Sequence, residues 1–211
     1  FDKMNRLNMV DVATKKVTEV SKSNAGEISD YAWSPDSKWV AFTFPKINEK
    51  SCIYIYNVDT KEAKPVTENW FSSSDPTFDK SGKYLYFTSE RDFNPTYSQI
   101  EWNYSYSNMS SMYLALLSKD TPSPLLPKDG EGQDAPEEKK DDKEVNTVKV
   151  DKDGIFGRII KLPGTSGGRP VYSDGKTVLY SGRGGTMSLD LSTGESKNIA
   201  EGSLSIVGKK A

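Results

Sequence analysis

The chain has no histidine and one cysteine in 211 residues. Without histidine there is no Ser-His or Cys-His nucleophilic pair, no two-histidine zinc motif and no imidazole acid–base catalysis. Cys52 cannot form an internal disulfide, and its place in the apolar run Cys52–Tyr56 is that of a buried, inert thiol. No run approaches the roughly 18 apolar residues of a membrane helix, so no membrane insertion is expected. With 28 basic against 30 acidic residues and a pI near 5.4, no basic stripe is available for nucleic acid. The first residues, FDKMNRLNMV, lack an initiator Met and the basic and apolar regions of a signal peptide, which reads as an excised or processed piece.

What is present is a repeat. Trp33–Thr43 (WSPDSKWVAFT) superimposes on Phe78–Thr88 (FDKSGKYLYFT) about 45 residues later, and Tyr172–Ser181 is a third copy with a shorter turn. Each copy is a short apolar run, a turn of Ser, Pro, Asp, Lys or Gly, and a second run of aromatic and aliphatic residues, the pattern of a tight hairpin. A second element is interleaved: Met9–Lys16, Ile55–Glu62 and Ser188–Glu195 align Thr14, Thr60 and Thr193 at one turn position. Two interleaved repeats of that period, built of short strands, predict four-stranded propeller blades rather than a sandwich. At 35% hydrophobic and 11% aromatic the chain can build such a core.

The fold class is therefore all-β, a partial β-propeller ring of about three and a half four-stranded blades. Residues 1–20 read as a half blade, 30–67 as a complete blade, and 75–127 as a blade carrying an insertion at 91–110. Residues 128–144 read as a disordered acidic loop, with 8 acidic against 4 basic residues and no apolar anchor. Residues 145–200 read as a hairpin (145–150 with 158–162) plus a last blade, and 203–211 as the start of another repeat.

The insertion RDFNPTYSQIEWNYSYSNMS exceeds the roughly 12–15 residues beyond which propeller connections are functional or disordered. Its aromatic content argues against disorder. Either it caps a neighbouring blade or fills the central channel, or it presents aromatic and amide groups to a peptide or partner surface. The candidate contacts are Arg91 and Asp92 for charged peptide groups, with Phe93, Tyr97 and Trp102 for apolar ones. Other motifs carry less. Gly164-Thr165-Ser166-Gly167-Gly168 looks like a nucleophile loop but has no histidine to activate Ser166. Gly182-Arg183-Gly184-Gly185 reads as a hairpin loop, and Asp151-Lys152-Asp153 is only a fragment of a calcium loop. Glu90, Asp92 and Glu101 could serve as glycosidase carboxylates if they met in space. No metal or cofactor is expected.

Ser34-Pro35-Asp36-Ser37-Lys38-Trp39-Val40-Ala41-Phe42 is similar to the repeat of TolB-type and tricorn-type propellers. Arg91-Asp92-Phe93-Asn94-Pro95, the run Lys119–Pro124 leading to Pro127-Lys128, and Val148–Ile155 with Arg158-Ile159 and Leu162-Pro163 resemble, in that order, the propeller region of bacterial tricorn-protease-like serine peptidases. The resemblance implies a parent with propellers, a PDZ module and a catalytic region whose serine and histidine this chain does not contain. It implies that the propeller gates or binds peptide substrates, with an extracytoplasmic, periplasmic location favoured over a cytoplasmic one. The alternative is a TolB-like protein-interaction scaffold without peptidase activity. Self-association through open blade edges is a further expectation.

Overall fold

The computed structural model describes residues 2–48, 50–97, 104–125 and 147–202. Its strands are β1 (Arg6–Val10), β2 (Val17–Lys22), β3 (Ser29–Trp33), β4 (Trp39–Pro45), β5 (Ser51–Asn57), β6 (Glu62–Pro65), β7 (Ser73–Phe78), β8 (Tyr84–Ser89), β9 (Pro95–Tyr97), β10 (Tyr104–Tyr106), β11 (Ser111–Leu116), β12 (Ile159–Lys161), β13 (Arg169–Ser173), β14 (Thr177–Gly182), β15 (Gly185–Asp190) and β16 (Ser196–Ala200). They form three four-stranded antiparallel sheets, β3-β4-β5-β6, β7-β8-β11-β12 and β13-β14-β15-β16, a two-stranded sheet β1-β2, and the small ribbon β9-β10.

The sheets stack as blades because their middle strands are apolar on both faces. In β4, Trp39 and Ala41 point into a core shared with β8 and β11, while Val40 and Phe42 point into a core shared with Leu7 and Val20 of the two-stranded sheet. In β8, Leu85 and Phe87 face the β3–β6 sheet, and Tyr84 and Tyr86 face the last sheet, meeting Val178 and Tyr180. β11 divides in the same way, Tyr113 and Ala115 on one side, Met112 and Leu114 on the other. The period of two that alternates side chains across a strand thus assigns each residue to one of two blade interfaces.

The hairpin repeat is a repeat of hydrogen bonds. In the first copy Ser34 Oγ accepts from the Trp39 amide at 2.9 Å and Asp36 Oδ1 accepts from the Lys38 amide at 3.1 Å, with Ser37 left-handed at φ 58°. In the second, Asp79 Oδ1 accepts from the Tyr84 amide at 2.8 Å, and Gly82 takes the left-handed position. The third uses Asp174 Oδ1 and the Thr177 amide at 2.7 Å, with Gly175 left-handed. The interleaved element is an Asx turn: the amides of Thr14, Thr60 and Thr193 donate to the side chains of Asp11, Asn57 and Asp190, each followed by a left-handed residue, Lys15, Lys61 or Gly194.

One expected pairing does not form. Ile159–Lys161 was expected to make a hairpin with 145–150; instead it pairs with β11 as the outer strand of the second complete blade. Residues 147–150 join no strand. Their polar groups are used elsewhere: the Val148 amide donates to Asp36 Oδ2 at 2.8 Å, and its carbonyl accepts from Trp39 Nε1 at 3.3 Å. With Val148 buried, the segment is fastened to the corner of the preceding blade. The expectations for 128–144 and 203–211 lie outside the described residues.

Antiparallel order places connections alternately on two faces of the stack. Among the described residues 46–48, 66–72, 90–97, 104–110, 162–168 and 183–184 lie on one face, and 34–38, 58–61, 79–83, 174–176 and the exit from the third strand of the second complete blade at 117–120 on the other. The insertion and the excursion that contains the acidic segment therefore emerge on opposite faces.

Phe42→Ala should destabilise the fold by about 3–5 kcal/mol, the cost of emptying a fully buried ring site, whereas Ile47→Ala at an exposed loop should change it by less than about 0.5 kcal/mol. Urea unfolding of the two variants checks the difference.

Candidate functional site

The insertion starts where β8 ends on the first face. Its backbone folds back as the ribbon β9-β10, with Tyr97 opposite Tyr104 and Pro95 opposite Tyr106. Asn94 Nδ2 donates to the Ser107 carbonyl at 3.0 Å and the Asp92 amide to the Met109 carbonyl at 3.1 Å, which close the base of the ribbon. Trp102 lies outside the described residues; Tyr97 is placed in β9.

Below the ribbon Arg91 and Asp92 have opposite fates. Asp92 is enclosed by three donors: Tyr113 OH at 2.5 Å on Oδ1, and Ser111 Oγ at 2.6 Å and Lys161 Nζ at 2.7 Å on Oδ2. Burial works against its ionisation, but the bonds from Lys161, Ser111 and Tyr113 outweigh it and hold the carboxyl below its usual 3.8. The Tyr113 hydroxyl is pushed up, by burial and by this carboxylate. Arg91 lies over two aromatic rings, its guanidinium 5.4 Å from the Tyr113 centroid and 5.8 Å from that of Phe71. Nε donates to Ser89 Oγ at 3.1 Å. Among the described residues no carboxylate pairs with Arg91 within 4.0 Å, and none of them bonds its two terminal amino groups, which form a planar fork. Burial draws its pKa down, with Tyr113 and Glu68 opposing; the group stays a cation.

These residues border a cleft of about 460 Å³. Phe93 stands at its edge, 78% exposed, tilted against the Tyr106 ring at 5.8 Å between centroids. The far wall is Gly164-Thr165-Ser166, the segment with the look of a nucleophile loop. Its glycines serve packing. A Cβ on Gly168 would lie 2.8 Å from the Tyr180 ring, and Gly167 is left-handed at φ 69°. Thr165 Oγ1 accepts from the Met112 amide at 3.2 Å, the Gly167 amide donates to the Ser110 carbonyl at 2.8 Å, and the Gly168 carbonyl accepts from Thr88, so the loop is tied to the central strands. Gly182 and Gly185 face one another across a two-residue hairpin turn.

The structure thus brings Arg91, Asp92 and Phe93 to one cleft. Sequence reasoning missed Lys161, Ser111, Tyr113, Tyr106 and Phe71. Lys161 carried no signal, because its strand was assigned to another partner; Tyr106 lies within the aromatic-rich insertion and could have been found from that, whereas Phe71 lies in the connection before β7 and carried no such signal.

The family described as "Tricorn protease second beta propeller domain" matches residues 1–169. The chain belongs to this family. A tricorn-like protease C-terminal subunit from Sulfurisphaera tokodaii is 32% identical over 161 residues, which is 75% of this chain and 17% of that protein. Tricorn protease homolog 1 from Streptomyces coelicolor is 30% identical over 161 residues, 75% of this chain and 15% of that protein. The chain therefore spans under a fifth of the length of these relatives. The crystal structure of the tricorn protease superimposes with a TM-score of 0.71 at 20% identity, covering 92% of this chain and 20% of that one. A TolB from Agrobacterium tumefaciens superimposes at 0.50 with 11% identity, a likeness of fold. The tricorn-type match begins at residue 1, including the two-stranded sheet, and stops at 169, where the last blade begins.

Because the Asp92 carboxyl is held below its usual value, its contribution to stability is present above the ordinary carboxylate pKa and is lost as pH falls through the lowered one. Asp92→Asn should cost about 1.5–3 kcal/mol at neutral pH, the range for hydrogen bonds to a charged group, and the gap from wild type should close on acidification. Urea unfolding at neutral and acidic pH reads this directly.

Proposed function

We propose that this propeller segment receives unfolded peptides on the face that carries the insertion, on behalf of a parent tricorn-like serine peptidase whose catalytic region lies outside the chain. The observation that carries the reading is the Arg91 fork, clamped between Phe71 and Tyr113 with no described carboxylate partner, beside the exposed Phe93–Tyr106 pair. A fixed guanidinium recognises a carboxylate with little loss of side-chain freedom. An adjacent pair of exposed rings accepts apolar side chains without sequence stringency. Asp92 and Lys161 neutralise one another and position the wall of the cleft.

Peptide substrates thus meet a surface that reads one charge and general apolarity, as a gate for unfolded chains requires. A TolB-like scaffold would use the same rim for a folded protein and show no preference for unfolded peptides.

In the full-length parent protein, Arg91→Met and the double variant Phe93→Ala/Tyr106→Ala should each raise the Kd for a fluorescently labelled unstructured peptide about tenfold, or roughly 1.4 kcal/mol. Lys119→Ala, exposed on the opposite face, should leave it unchanged. Unchanged affinity in both insertion-face variants would overturn the proposal.

A further inference from the structure

A second cleft, of about 240 Å³, lies at the outer edge of the β3–β6 sheet. Its aromatic walls come from three segments: Tyr54 of β5, Trp70 of the connection to β7, and Phe156 of the 3-10 turn at Ile155–Arg158. Trp70 is 74% exposed and Phe156 41%. The volume falls below the roughly 300–1,000 Å³ of sites for drug-sized ligands, which matches a ligand of amino-acid size.

Two opposite charges border this small space. Lys46 Nζ is held 2.6 Å from the Tyr54 hydroxyl and lies 5.0 Å and 4.8 Å from the ring centroids of Phe44 and Tyr54. An ammonium has three donors, so two remain after the bond to Tyr54. Glu68 lines the same cleft. The two do not pair with each other within 4.0 Å, and among the described residues neither has another ion-pair partner. Separated opposite charges on one aromatic-walled cleft are complementary to a dipolar ligand with a ring.

We propose that this cleft binds a free aromatic α-amino acid. The ligand carboxylate accepts from Lys46, the α-ammonium donates to Glu68, and the side chain lies among Tyr54, Trp70 and Phe156. An internal peptide residue carries neither charge and would leave both protein groups unanswered, so the cleft discriminates against the chains that the insertion face receives. The site shares no lining residue with the Arg91 cleft, although the Glu68 charge also acts on Arg91, and it does not depend on the peptide reading.

Isothermal titration of the intact protein with L-phenylalanine, N-acetyl-L-phenylalanine, L-phenylalaninamide and glycine tests this. L-phenylalanine should bind saturably, and the two blocked forms and glycine at least about tenfold more weakly. Lys46→Met should abolish the preference over the amide, and Glu68→Gln the preference over the N-acetyl form; both are surface changes that leave the core intact. Phe93→Ala/Tyr106→Ala should bind L-phenylalanine as wild type does, which separates this outcome from that of the peptide experiment. Equal binding of the free and blocked forms, insensitivity to both charge variants, or no binding by the wild type would overturn the proposal.

Discussion

Burial of the central strands on both faces is the constraint on which the structure depends. A sheet with one apolar face can be stable against a single partner, but β4, β8 and β11 have no polar face to offer water. Each must therefore be sandwiched, and the alternation of side chains gives odd and even positions to different neighbours. Phe87 and Tyr86 are adjacent in sequence, yet they belong to separate cores. The stacking of blades is the means by which every sheet buries its second face, and it holds the loops on the stack in fixed relation.

That fixed relation builds the candidate site. Arg91 follows β8, Tyr113 is on β11, Lys161 on β12 and Phe71 precedes β7, so one blade and the connection leading into it supply the clamp. The electrostatics sort themselves by geometry: Asp92 is surrounded by three donors and is satisfied internally, whereas Arg91 is held by rings that supply no countercharge. Among the described residues no carboxylate lies within ion-pair distance of Arg91, whereas the Asp92 carboxylate is bonded within the fold.

The repeat, the hairpins and the turns were legible in the sequence because each is local. Ser34, Asp36 and Ser37 act within six residues of one another, and the Asx turns at Thr14, Thr60 and Thr193 within four. The place of Ile159–Lys161 was not legible, because its partner β11 is separated from it by a long excursion and a nearer apolar run, Val145–Val150, competed for it in the pattern. Val148 is apolar because it enters the core beneath Trp39, which a strand pattern cannot distinguish from pairing. The same error hid Lys161 from the site. Arg91, Asp92 and Phe93 were singled out through composition, but their different surroundings, aromatic rings beside Arg91, three donors about Asp92 and solvent about Phe93, are a property of the fold.

The central claim is that peptide engages the face bearing the insertion. Photo-crosslinking the full-length protein with an unstructured peptide that carries a benzophenone, followed by mass-spectrometric mapping, tests it most directly. The account predicts adducts in residues 66–72 and 90–110 and none in 34–38 or 117–125. Adducts concentrated on the latter face, with the insertion unlabelled, would contradict it.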